Sequence, residues 1–438
     1  MNNVKMEKSL LFGRAGRDAF AGFFDIREWF VQKVDGERCG ASDTRLGYFG
    51  AFFLLITAAI LLLGRFWWPG GSTSWTGSIR FSLLPVLLIG IATVCIRRPR
   101  WTSLHFAFFV FVGYLAFNSL VVADSLQYFR RTLIISVFVL GVSLFGQREN
   151  CWKALMASMV LLGAMLAGAS LLNSLEEGGF SFSYRKIGMV SSGIKNVADF
   201  GNTIVAGMHY ALCFIAGAWL ALGARSRQSF IWWSFCLLVL SLYIYFTYSR
   251  ASWVACIVGL AVLVMLMVDR KKLARIGMVF GALAVFVAIL GHRALSYEIG
   301  TRGLTSRDEI WLEVMSRMSG HWLLGHGSGT PLGEVSIRGG AQIVHNTHNL
   351  YLEILYQFGA IGLALALVVM LGAFFVLYRL RSNLACLWMA ILAAVSVVML
   401  VELNSFIGAP NMVWLWFWLP VGGALALSAR SYDASNRT

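Results

Sequence analysis

Long apolar runs alternate with short charged connections along nearly the whole chain. A membrane-spanning helix needs about 20 predominantly apolar residues. Twelve stretches meet or approach that length: 46–64, 81–96, 101–123, 132–146, 152–173, 201–224, 229–247, 250–268, 274–291, 349–378, 383–401 and 410–429. The second and fourth are short. Only the polar turn Thr247–Arg250 parts the seventh from the eighth. One long polar interruption, 292–348, precedes the tenth run. The pattern predicts an all-α polytopic membrane protein of about twelve transmembrane helices, with a large loop that contains short helices. The expected segments are a basic amphipathic stretch at 1–45, nine spans over 46–291, the loop 292–348, three spans over 349–429, and a tail at 430–438.

Composition agrees with that pattern. The 438 residues are 58% hydrophobic and 13% charged, against roughly 25% charged in a soluble domain. The net charge of +15 raises nucleic acid as a partner, but the basic residues are scattered between apolar runs with no basic-aromatic patch, which excludes it. The seven cysteines lie mostly inside apolar runs and form no CxxC pair, so neither a disulfide framework nor a zinc site is expected.

Charge also sets an orientation. Basic residues concentrate in loops on the cytoplasmic side. With the N-terminus inside, 23 of the 36 Lys and Arg residues fall on the inner side, including the dense loops at 97–100 and 270–275. Both termini are expected in the cytoplasm. The 292–348 loop is expected outside, in the periplasm of a Gram-negative inner membrane. The outer basic residues then need a reason. Arg65, Arg80 and Arg338 read as headgroup contacts. The others, converging on one cavity, would bind a phosphate or diphosphate, for which the arginine fork and permanent charge are suited.

Several residues are candidates for chemistry. Arg250 sits in a donor-rich turn (Thr247, Tyr248, Ser249, Ser252) at a membrane edge, where an ionisable residue is a functional hypothesis. Arg185, Lys186 and Lys195 lie in the 174–200 segment, which either covers a lipid-linked substrate or merely connects two spans. In the large loop, Ser306 and Glu309 have capping-box spacing, and Ile310, Trp311, Val314, Met315 and Met318 follow at helical spacing. Arg307 falls in that helix's first turn, where a cation opposes the helix dipole. Either an anionic ligand or a pair with Asp308 or Glu309 resolves this. The turn Gly325–Thr330 lacks the spacing of a phosphate-binding P-loop. His345, Asn346, His348 and Asn349 end the loop, and a histidine there can take a proton from a sugar hydroxyl. No HExxH or DxD is present, so no metal and no cofactor is expected. Glu402, between the last two spans, is placed to orient a histidine or an arginine.

Three local patterns occur together. His348-Asn349 is followed by nine residues, Leu350–Phe358, and then by Gly359, Ala360, Ile361 and Gly362. Ser249-Arg250 opens an apolar run. Arg307 precedes Trp311 and a glycine-rich turn, Gly325–Gly329. With the twelve-span layout, this set resembles the O-antigen ligase family, within the superfamily of O-antigen ligases and polymerases. The likeness covers the chain from about the first span to the last. It decides between the histidines: counting from His345-Asn346 puts Tyr356 where the family pattern requires Gly, so His348 fits and His345 is left as support. The family also carries a late acidic residue, often Asp, for which Glu402 is the nearest equivalent.

The resemblance implies a GT-C-like fold. It also implies metal-independent, inverting transfer of a glycan from undecaprenyl diphosphate to a sugar of the lipid A core. Arg250 and Arg307 would hold the diphosphate, and His348 would take or position the acceptor proton. Arg130, Arg131, Arg185, Lys186 and Lys195 would hold phosphates of either lipid, and His345, Asn349 and Glu402 would contact substrate. The rivals are an O-antigen polymerase, a protein O-oligosaccharyltransferase, and a transporter or flippase of lipid-linked glycan. The last predicts charges in mid-membrane, whereas the candidates here sit at one edge.

Overall fold

The computed structural model describes residues 41–68, 71–97, 99, 101–177, 192–194, 196–268, 306–337 and 342–435. The chain divides into two units, Met1–Leu46 and Gly47–Thr438. The helices are α1 (Ala41–Trp67), α2 (Gly71–Arg97), α3 (Ser103–Phe117, continued by a π-helical turn at Asn118–Val122), α4 (Leu126–Phe145), α5 (Glu149–Glu177), α6 (Thr203–Leu222), α7 (Arg227–Phe246), α8 (Arg250–Met267), α9 (Arg307–Arg317), α10 (Leu350–Leu380), α11 (Asn383–Val398) and α12 (Leu419–Ser435, preceded by a π-helical turn at Trp414–Trp418). A two-stranded antiparallel hairpin, β1 (Val335–Ile337) and β2 (Gln342–Val344), is the only sheet among the described residues. The protein is an all-α polytopic membrane protein.

Eleven of the twelve apolar runs lie among the described residues, and each is a helix. The ninth run, 274–291, lies outside them, as do residues 1–40, Arg185, Lys186 and Lys195. Nine described helices are long and apolar enough to cross a membrane. The two short runs are longer in the structure. On α2, Thr76, Ser78 and Ser82 bond back to carbonyls three or four residues earlier. Such back-bonding satisfies hydroxyls inside a helix. On α4 the added start, Leu126–Arg131, carries Gln127, Arg130 and Arg131, so in both helices local polarity interrupted the apolar pattern without interrupting the backbone.

Two layers follow from burial. α11 is apolar all round, with Leu384, Ala385, Leu387, Trp388 and Ile391 buried, and it packs against α6, α8, α10 and α12. A helix apolar on every face belongs in an interior. It is only 16 residues long, about 24 Å at 1.5 Å per residue, and its neighbours shield it from lipid. α6 is similarly enclosed. α2 and α7 instead expose Phe81, Leu88, Ile91, Ile231, Trp232 and Phe235, a surface suited to hydrocarbon.

Contacts between helices show which ends lie together. Gly207, near the start of α6, meets Thr247 and Ser252 around the start of α8. At the other end, Gly223 meets Asn383 and Met267, and the Trp219 indole donates to the Asn383 carbonyl at 2.8 Å. The Leu350 N–H donates to Met399 O at 2.8 Å. The starts of α8 and α10 and the end of α11 therefore share one end of the bundle, which also holds the large loop.

At that end α10 is broken. Gly359 has φ 66° and ψ −173°, a region open essentially to glycine alone. A helix break leaves backbone groups without partners, and inside a membrane protein other protein groups must supply them. The large loop and α3 do so. Ala360 N–H donates to Trp322 O at 2.7 Å, and Ile361 N–H to Leu323 O at 3.4 Å. In return, His326 and Gly327 donate to Tyr356 O and Gln357 O at 2.8 and 3.0 Å, and the Tyr114 hydroxyl donates to Phe358 O at 2.6 Å. Gly359→Ala would put a Cβ 2.6 Å from Gly325 N and against the Leu323 carbonyl. Strain and overpacking together are expected to cost about 3 kcal/mol or more. Gly113→Ala, whose Cβ meets nothing within 4 Å, is the control. Thermal unfolding in detergent checks this, and equal midpoints for the two variants would contradict it.

Candidate active site

The loop is tied to the bundle by a small apolar core. Ile310 and Val314 of α9, with Met318 just past its end, pack with Leu332, Val335 and Ile337, and against Leu355 and Tyr356 of α10. Met315, expected on the same face, is exposed at 41%. The expected capping box at Ser306 does not form: Ser306 is left-handed at φ 57° and its side chain makes no capping bond, because the cap needs an extended residue. The Trp311 indole donates to Thr347 O at 3.2 Å, and this sets the start of α9 beside the start of α10.

His348 stands in the turn between them. Its φ is 48°, uncommon outside glycine. Buried residues on either side hold it. Thr347 donates its hydroxyl to Asn349 O at 2.9 Å. Asn349, expected to contact substrate, is buried and caps α10, accepting the Leu352 N–H at 3.1 Å. His345 follows β2 and is exposed.

Glu402 joins the candidates that lie far apart in sequence. One carboxylate oxygen accepts from Arg307 Nη2 at 2.7 Å. The other lies 3.2 Å from His348 Nδ1. The Arg307 and Glu402 side chains are 17% and 13% exposed, and His348 is 35% exposed. A carboxylate only accepts, so Nδ1 is the nitrogen that donates to Glu402, and in the neutral ring Nε2 is the nitrogen left to accept a proton. This is the arrangement by which a carboxylate sets a histidine tautomer. Arg307 thereby escapes its unfavourable place at a helix N-terminus.

The remaining predicted residues are placed as follows. Arg250 opens α8 at the same end of the bundle. Its turn is fixed by Thr247 donating to Ile244 O at 2.7 Å and by the Ser252–Ser249 hydroxyl pair at 2.8 Å. Arg130 is exposed on α4. Arg131 lies over the Tyr128 ring at 4.7 Å, and Tyr128 abuts Gly329 of the glycine-rich turn. That turn cradles no phosphate: its His326 and Gly327 N–H groups are spent on α10 carbonyls, and Gly329 N–H on the Gln357 side chain at 3.1 Å. Arg65, read as a headgroup contact, lies near the Trp75 and Phe200 rings at 5.8 and 5.6 Å. Among the described residues, no group of three His, Cys, Asp or Glu side chains comes together as a metal site would require.

Of two polar residues of α10, sequence reasoning passed over Gln357 and weighed Glu353 only as a third ligand beside His345 and His348 in a metal site that it set aside. Glu353 and Gln357 lie one turn apart in an apolar run, and Glu353 is buried at 7% exposure. Their only signal was the presence of a carboxylate inside a predicted span, which is itself a functional pointer.

The fold and site define a polytopic membrane protein with a carboxylate-bridged histidine and arginine at one end of its bundle. Residues 235–367, from α7 into α10, match the model of the O-antigen ligase family, and this stretch holds Arg250, Arg307, His348 and Gly359. An O-antigen ligase of Pseudomonas aeruginosa is 31% identical over 188 residues, covering 41% of this chain and 45% of that protein.

Proposed function

We propose that the protein is an inner-membrane glycosyltransferase that ligates an O-antigen glycan, carried on undecaprenyl diphosphate, to the lipid A core in lipopolysaccharide assembly. Both termini lie in the cytoplasm in this reading, and the site faces the periplasm. The observation that carries it is the Glu402 carboxylate held between His348 and Arg307. A proton acceptor and a permanent cation then stand on one rigid group, which suits a reaction that loses a proton at one oxygen and gains negative charge at another.

The acceptor hydroxyl attacks the anomeric carbon of the donor sugar from the face opposite the diphosphate. A bond forms from the acceptor oxygen to that carbon, and the carbon–oxygen bond to the diphosphate breaks with its electron pair leaving on phosphate. The configuration inverts. His348 Nε2 takes the hydroxyl proton, and the imidazolium that results is paired with Glu402 until water removes the proton. Arg307 and Arg250 offset the charge on the departing diphosphate, with Arg130, Arg131, Arg185, Lys186 and Lys195 holding further phosphates. No step uses a metal.

Reconstitution with a carrier-linked glycan tests the reading, with three acceptors offered separately. Product on lipid A-core supports ligation. Product only on a second carrier-linked glycan would make the protein a polymerase, and product only on a Ser- or Thr-bearing protein an O-oligosaccharyltransferase. Carrier-linked glycan that moves between leaflets without transfer would overturn the enzyme reading. Activity is expected to survive EDTA.

A further inference from the structure

The loop that presents Glu402 needs holding. Two of its residues, Leu403 and Ser405, have positive φ values of 74° and 61°, which non-glycine residues adopt only when their surroundings impose it. Phe406 anchors the far side, fully buried against Phe111 and Trp418. The near side is held by Glu353, one turn into α10. Its Oε1 accepts the Ser405 N–H at 2.7 Å and the Gln357 amide at 3.2 Å. Gln357 in turn accepts the Gly329 N–H at 3.1 Å. One buried carboxylate thus gathers the Glu402 loop, the glycine-rich turn of the large loop and the start of the helix that follows His348.

We propose that Glu353 is a positioning residue for the reaction: it latches the 403–406 backbone so that Glu402 reaches His348 and Arg307 together. The role rests on the site reading above. Glu353 touches no substrate. It acts through Glu402, and Gln357 extends the latch to the glycine-rich turn. A glutamine at 353 would set its own N–H₂ among the N–H donors that converge there and lose half of the acceptor capacity. The loop would then be free to relax its positive φ angles and draw Glu402 away from the histidine.

A double-mutant cycle on kcat tests this, using the full-length protein in lipid with carrier-linked donor and lipid A-core acceptor. Glu353→Gln is expected to lower kcat by about ten- to a hundredfold, the scale of a misplacement near 1 Å, with donor KM unchanged. The distinguishing readout is coupling. If Glu353 works through Glu402, adding Glu353→Gln to Glu402→Gln leaves the rate where Glu402→Gln alone puts it. Multiplicative losses in the double variant would overturn the latch and leave the site reading standing. Full activity in Glu402→Gln would overturn both. Should Glu353→Gln not fold, Glu353→Asp enters the same cycle, since it keeps the carboxylate but withdraws it from the Ser405 N–H.

Discussion

Replacing His348 by alanine is expected to slow glycan transfer by about a hundred- to ten-thousandfold, the contribution typical of a general base, while the protein stays folded. The ring is 35% exposed and bonds to Glu402, and it belongs to neither apolar core, so little packing is lost. The backbone needs a residue that tolerates φ 48°. Asparagine suits that conformation better than alanine, so His348→Asn separates backbone from base. Both variants should be equally slow in single-turnover assays with both substrates saturating, and the asparagine variant should unfold at the wild-type temperature. Transfer at the wild-type rate by either would remove the proton acceptor from the scheme.

How far these residues could be read in advance depends on the range of the interactions that define them. The spans were legible because crossing a bilayer is a local demand on length and apolarity. The true starts of α2 and α4 were not, since hydroxyls that bond back to the helix on α2, and Gln127, Arg130 and Arg131 at the start of α4, look polar in a pattern that the helix nonetheless carries. His348 was singled out as the candidate by its spacing to Gly359 and Gly362. The task of Gly359 was not legible from that spacing: the backbone of the large loop at Leu323 and Gly325 comes against it. Glu402 was visible only as a lone carboxylate with two possible partners. Its bond to His348 spans 54 residues and its bond to Arg307 spans 95, separations that only tertiary structure closes. The Ser306 cap shows the opposite error, a correct local motif overridden by the docking of α9 on α10.

Arg307→Ala is expected to lower kcat/KM by about a hundred- to a thousandfold, comparable to removing one preorganised donor from a site of developing charge. The alternative is that Arg307 only holds Glu402 in place, and the two roles differ in what they do to the leaving group. Without Arg307, the Glu402 carboxylate still reaches His348 and stabilises the imidazolium at least as well, because no cation competes for it. Proton acceptance therefore survives, and the loss falls on the diphosphate. Undecaprenyl diphosphate, the product released in the proposed reaction, should then inhibit Arg307→Ala more weakly than wild type, while its inhibition of His348→Asn stays at the wild-type level. Arg307→Lys should fall between, since lysine keeps the charge but loses the fork that binds two oxygens at once. A slow Arg307→Ala that binds the product as tightly as wild type would take Arg307 off the diphosphate. Its bond to Glu402 would then be its whole role, and Arg250 would be left as the cation that meets the leaving group.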